Sequence, residues 1–240
     1  MAVLRMATAM TTENGAVDGS LAQLRLLQLV SPALPIGGFT YSQSLEWAVE
    51  AGWVSNADNL SDWMIGLIDD GLAYLDLPIL LRLYSACERR DLALIEHWGR
   101  LLYAARETSE LRTEERNRAR ALVALLRDLD LAEVKAWQAA LLHCQAAPFA
   151  LAAVHWQIPP RACLLGYAWS WLETQVAAAV KLVPLGQTAG QQVQLALAER
   201  LPGAVECALG LEDDDIGASA PAMAIASAKH ETQYTRLFRS

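Results

Sequence analysis

Apolar residues recur at helical spacing along most of the chain. Met64, Leu67, Ile68, Leu72 and Leu75 stand at i, i+3, i+4, i+8 and i+11. The same stripe returns in Leu94, Ile95, Trp98, Leu101, Leu102 and Ala105. It returns again in Leu165, Ala168, Trp169, Leu172, Val176, Ala179, Val180 and Val183. Each stripe covers one face of a helix and has to be buried against a neighbour. Leu and Ala, both strong helix formers, dominate, and no alternating run is long enough for a convincing strand. Breaks are predicted at Ser31–Gly38, near Leu77–Pro78, at Pro148, at Pro159–Pro160 and at Pro184–Gly186. Ser20 with Gln23, Thr40 with Gln43 and Thr188 with Gln191 have the spacing of capping boxes. The pattern predicts an all-α, single-domain helical bundle of about eight to ten helices with short connections.

The two ends break the pattern. Residues 1–19 carry no periodicity and read as a disordered N-terminal segment, leaving 20–209 as the helical domain and 210–240 as a flexible tail. The tail runs through Asp213–Asp215 and the small-residue stretch Gly217–Ala228, then turns basic and aromatic. It cannot bury enough apolar surface by itself. Tyr234, Leu237 and Phe238 are typical anchors for a partner's pocket, and Arg236 and Arg239 suit carboxylates.

Charge narrows the field. The 240 residues hold 19 Lys and Arg against 27 Asp and Glu, a net charge of −8. That balance argues against nucleic acid, whose phosphates need a basic face, and against electrostatic binding to a membrane surface. Ala136–Pro160 has no formal charge, yet it contains Gln138, His143, Gln145, Pro148, His155 and Gln157. It therefore reads as a core helix pair broken at Pro148, not as a membrane span. The first residues lack the apolar run of a secretory signal, so a cytoplasmic location is expected. Cys87, Cys144, Cys163 and Cys207 form no CxxC pair and read as buried thiols.

Reaction chemistry is hard to find. The turn PIGGF at 35–39 lacks the Lys and hydroxyl of a phosphate-binding loop and reads as a helix–helix turn whose glycines supply positive φ. His97, His143 and His155 read as satisfied core histidines, and His230 as an exposed tail histidine. His143 and Cys144 would point about 100° apart on a helix and could not share a metal unaided. Asp69–Asp70 and Asp213–Asp215 read as a helix end and a solvated run. The segment RETSELRTEERNRAR at 106–120 packs five Arg and four Glu into fifteen residues. It reads either as a solvated face or as a docking face for a charged partner, since Arg forks suit carboxylates and phosphates. Lys181, between Val180 and Leu182, either snorkels at a helix end before Pro184 or faces a partner.

Four stretches carry a resemblance: LLQLVSPALPIGGFTYSQSLEWAVEAGWV at 26–54, RETSELRTEERNRARAL at 106–122, VAAAVKLVPLGQTAGQQ at 176–192 and AIASAKHETQYTRLFRS at 224–240. In that order they resemble the UreF family of urease accessory proteins. The resemblance implies an all-helical protein that is not itself an enzyme. It implies joining UreD (also called UreH) and the GTPase UreG on the urease apoprotein, in an assembly that drives GTP-dependent insertion of nickel. No permanently bound cofactor is implied: nickel is the cargo, and GTP belongs to UreG. A homodimer, a tail that orders against UreD and modulation of the UreG GTPase are implied too. Carried over residue by residue, the partner-binding positions are Glu46, Lys181, Gln187, His230, Tyr234, Arg236, Leu237, Phe238 and Arg239, with Lys181 and Glu46 turned toward UreG. The rival reading is a stand-alone nickel-binding carrier.

Overall fold

In the computed structural model, which describes residues 19–240, the apolar stripes are helices: α1 (19–29), α2 (Leu45–Glu50), α3 (Ala57–Gly66), α4 (Leu77–Glu88), α5 (Leu92–Ala105) and α6 (Ser109–Asp128). They continue as α7 (Ala132–Leu141), α8 (Ala146–His155), α9 (Pro160–Leu182), α10 (Gln187–Ala198), α11 (Leu201–Gly210) and α12 (Pro221–His230). Among the described residues there is no strand, so the all-α expectation holds. The reading of the first residues lies outside the described part, except Gly19, which is already helical.

The core is built around α8. Every residue from Ala146 to Ala153 is buried, because small side chains let α4 and α6 pack closely on it. A helix apolar all round belongs in a protein interior. That settles the uncharged stretch at 136–160 as the pair α7 and α8, parted at Leu142–Gln145 just before Pro148. Pro148 stands in the first turn of α8, where its missing N–H leaves no bond unmade. No helix among the described residues is long and apolar enough to cross a membrane. On the other side of the core α9 packs against α10, and a Cβ on Gly190 would fall 2.5 Å from a Val180 methyl. Only glycine allows so close an approach.

Two local predictions need correction. Helix starts are capped by Asn56, Asp91 and Thr108, whose side chains accept from Asn59, Leu94 and Leu111 N–H. The pairs Thr40–Gln43 and Thr188–Gln191 are not caps: Thr40 donates to the Gly37 carbonyl, and Thr188 lies inside α10 behind Gly186. Nor does the chain break at Leu77–Pro78. A π-helical run, Leu67–Asp76, joins α3 to α4 without interruption. Pro78 has no N–H for the Tyr74 carbonyl four residues back, and the Gly217 N–H takes that carbonyl at 3.0 Å instead.

Where the π run ends, Asp76 meets a buried ion triad. Arg106, beyond the end of α5, reaches Asp76 and also donates to Glu115 Oε1 of α6 through Nε at 2.9 Å and Nη2 at 2.7 Å. Glu115 Oε2 accepts the Gln145 N–H at 3.0 Å ahead of α8. Four elements are thus tied at one guanidinium. Burial pushes the Asp76 carboxyl above its ordinary range, with Arg106 opposing. Burial would lower Arg106, but Asp76 and Glu115 outweigh it and hold the guanidinium charged. Removing one partner of such a cluster leaves uncompensated buried charge. Arg106→Ala is therefore expected to cost about 3–5 kcal/mol in urea unfolding. A group whose pKa is raised by folding contributes stability at low pH that is lost as pH rises through its folded value. The Arg106→Ala deficit should accordingly be smallest in acid and grow as pH rises through the raised Asp76 pKa.

Candidate partner-docking site

The chain from α12 onward is fastened to α2 and α6 by a row of carboxylates. Glu46 stands in the first turn of the six-residue α2 and is buried. Its Oε1 accepts the Leu237 N–H at 2.6 Å, and its Oε2 accepts the Phe238 N–H at 2.9 Å and faces His230 Nε2 at 3.2 Å. On α6, Glu110 Oε2 lies 2.6 Å from His230 Nδ1, and Glu110 Oε1 takes Arg236. One turn on, Glu114 Oε2 accepts the Ser240 hydroxyl at 2.8 Å, while its Oε1 holds Arg118 at 2.9 Å and Gln43 at 3.0 Å. Carboxylates at i and i+4 repel on a bare helix. Here Arg236 and Arg118 supply the charge that offsets them, and His230 bonds to Glu110.

A strained turn completes the seat. Gln43 (φ 49°) and Ser44 (φ 71°) are consecutive non-glycine residues in left-handed conformation, which costs roughly 1–2 kcal/mol each. The Gln43 side chain holds the turn: its Oε1 accepts from Trp171 Nε1 at 2.8 Å and Gln175 Nε2 at 3.2 Å, both on α9. The turn aims the Ser42 N–H and hydroxyl at the Ser240 main-chain oxygen, at 2.8 and 2.6 Å. Just before it, Gly37 (φ 72°) supplies the positive φ expected of PIGGF, and the Thr40 carbonyl accepts the Arg239 N–H at 2.9 Å.

The partner-binding residues expected from the sequence separate into three groups. Glu46, His230 and Phe238 are buried inside the chain's own seam. His230 is a correction: it is 0 % exposed and wedged between the Glu46 and Glu110 carboxylates. Phe238 fills a site on its own chain, and the exposed Lys181 stands 5.6 Å above its ring. Arg236, Leu237 and Arg239 lie along the seam with exposed side chains, and Tyr234 projects fully into solvent at 102 % relative exposure. Gln187 is exposed in the first turn of α10, and among the described residues no hydrogen bond ties it to the seam. The sequence shows Glu110 and Glu114 as like-charge neighbours at i, i+4 and Glu231 within the tail stretch, but it does not place any of the three among the site residues.

The remaining histidines reverse the expected pattern. His97 and His155 are exposed and His143 half-buried, while the tail histidine is the one in the interior. Among the described residues no cluster of three or more His, Cys, Asp or Glu could hold a metal ion. Cys87, Cys144 and Cys163 are buried and Cys207 half-buried. Burial pushes the Cys87 thiol up to about 12 and raises Cys144 and Cys163 further, which leaves them poor nucleophiles. The geometry is suited to holding a polypeptide segment in place.

Two measurements follow from this seam. Glu46→Ala removes the acceptor of two backbone N–H groups and of His230, so trypsin should cut after Arg236 and Arg239 much faster in the variant than in the parent. Glu231 adds a pH-dependent fastening: its Oε1 accepts the Ser109 N–H at 2.9 Å, the Ser109 hydroxyl at 2.6 Å and the Glu110 N–H at 3.2 Å at the start of α6. The Ser109 hydroxyl is the main cause that holds its carboxyl below the usual range, against the opposing effect of burial. A group whose pKa is lowered by folding stabilises above its unfolded value and loses that contribution as pH falls. Glu231→Gln should therefore cost about 0.5 kcal/mol at neutral pH, after solvent screening. The difference from the parent should vanish on acidification below the normal glutamate range.

Three of the four stretches singled out in the sequence meet at this seam, and Lys181 of the other stands over the Phe238 ring. Residues 54–198 match the sequence model of the UreF family. A urease accessory protein UreF of Pseudomonas putida strain GB-1 is 53 % identical over 224 residues, spanning 93 % of this chain and all of the relative. One of Alkalilimnicola ehrlichii is 48 % identical over 231 residues, spanning 96 % of this chain and all of the relative. One of Citrobacter koseri is 46 % identical over 218 residues, spanning 91 % of this chain and 97 % of the relative. With a family match over more than half its length and near full-length identity at this level, the chain belongs to the UreF family of urease accessory proteins, which are not enzymes.

Proposed function

We propose that this chain is a scaffold in urease maturation. It joins UreD (UreH) and the GTPase UreG on the urease apoprotein, in a cytoplasmic assembly that inserts nickel at the expense of GTP. The observation that carries this reading is the tail. Its backbone is fixed by Glu46, Ser42 and Thr40, while Tyr234 and Leu237, at 102 % and 67 % exposure, point away from the chain. Exposed aromatic and aliphatic side chains on a pre-ordered strap bind a partner with little further ordering cost. UreD is the partner assigned to this strap.

Lys181 and the PIGGF turn stand beside the same seam, which supports a role in positioning UreG and modulating its GTPase; Glu46, buried with both oxygens taken by the tail, serves this only by holding the tail in place. Nickel is the cargo of the assembly and GTP the ligand of UreG; neither is assigned a resident site on this chain. A second copy is assigned to α1. Its outward Leu21, Leu24 and Leu27 are more than half exposed beside an apolar groove lined by Val30, Leu165, Trp169 and Leu201. Ridge and groove side by side on one face are self-complementary under a two-fold axis.

The test is co-purification of UreD with the double variant Tyr234→Ala/Leu237→Ala. Losing two anchors at about 2 kcal/mol each should weaken UreD binding several hundred-fold or more, with helix content unchanged. Full UreD recovery with normal urease activation would contradict the reading.

A further inference from the structure

The seam leaves the outer face of α6 unused. This helix sorts its charges by side. Glu110 and Glu114 turn toward the tail, and Glu115 turns to Arg106. Arg118, roughly half a turn from its arginine neighbours, is buried against Glu114. Arg116 and Arg120, four residues apart, share the opposite side and are exposed. Among the described residues neither forms an ion pair with a carboxylate. The Arg116 guanidinium lies 4.2 Å from the centre of the Tyr103 ring on α5, and Arg120 donates to Asn117 Oδ1 at 3.4 Å.

The positive character extends to α5. Arg100, one turn before Tyr103, has Glu96 as its ion-pair partner. Half-buried His143, at the end of α7, feels this field. Burial is the first cause of its lowered pKa, Arg100 and Arg116 lower it further, and Glu96 alone opposes them. Leu101 and Ala104 on α5 are also exposed. In a chain of net charge −8, this face carries Arg100, Arg116 and Arg120, and Glu96 pairs with the first of them alone. Arginine laid on tyrosine is a pairing enriched at protein-interface centres.

We infer that Arg100, Tyr103, Arg116 and Arg120 form a docking face for a carboxylate-rich polypeptide segment. The arginines supply forks for carboxylates, and the Tyr103 ring supplies the apolar surface under Arg116. A polypeptide fits better than nucleic acid. The face is short, it includes apolar surface, and the rest of the chain repels a long run of phosphates. This face is separate from the tail seam and does not depend on the UreD assignment.

Fluorescence anisotropy with a labelled poly-glutamate peptide and the full-length chain tests the inference, with a single-stranded DNA oligonucleotide as comparison. The expected result is saturable, salt-sensitive peptide binding that weakens at least about tenfold in Arg116→Glu/Arg120→Glu. Arg116→Lys/Arg120→Lys should recover part of the loss, and Arg89→Glu, an exposed arginine at the end of α4, should change nothing. If the charge reversal unfolds the chain by circular dichroism, Arg116→Gln/Arg120→Gln gives the same reading with a smaller loss. Absence of peptide binding, equal binding by the variants, or tighter binding of the oligonucleotide through these arginines would overturn it.

Discussion

A carboxylate taken out of water must have its oxygens satisfied, and Glu46 is satisfied by a segment nearly two hundred residues further along the chain. That requirement organises one side of the molecule. The left-handed turn at Gln43–Ser44 places α2, and α2 presents Glu46 to the tail. The tail then delivers His230 and Arg236 to Glu110 and Ser240 to Glu114, acids that would otherwise repel one another on α6. None of these pieces is stable by itself: a strained turn, a six-residue helix, a row of like charges and a strap with little apolar surface. Together each supplies what another lacks.

The same reasoning separates what holds the chain together from what it offers to others. The ion triad of Asp76, Arg106 and Glu115 is closed, buried and tied to backbone, so it serves the fold. The thiols of Cys87, Cys144 and Cys163 are buried and raised, so they are inert. What remains outward is recognisably adhesive: Tyr234 and Leu237 on the strap, the leucine row of α1, and the arginines of α6 laid against Tyr103. An accessory protein that works by gripping other polypeptides needs several such faces pointing in different directions.

Much of the fold was legible because helical periodicity is a local signal: the stripes at 64–75, 94–105 and 165–183 each lie in helices. The exceptions have local physical causes. Thr40 and Thr188 have the right spacing for caps, but Thr40 sits in the turn after Gly37 and gives its hydroxyl to that residue's carbonyl, and Thr188 is already inside the helix that starts behind Gly186. Pro78 is tolerated because Gly217, distant in sequence, takes the carbonyl it cannot serve. The site was legible as residues but not as geometry. His230 and Phe238 look like tail ornaments until Glu46 and Glu110 are seen to enclose the histidine, and nothing within ten residues of His230 in the downstream sequence supplies those acids. Conversely, the mixed charge of 106–120 looked frustrated in sequence, and it resolves once Glu110, Glu114 and Glu115 each find a basic partner while Arg116 and Arg120 face outward.

The central claim is that the strap is held against its own body before any partner arrives, with its anchors already presented. Amide hydrogen exchange on the isolated full-length chain tests this most directly. The Leu237 and Phe238 amides, bonded to Glu46, should be strongly protected, while the Tyr234 amide next to the exposed ring exchanges fast. Exchange of all three at the rate of an unstructured peptide would contradict the account.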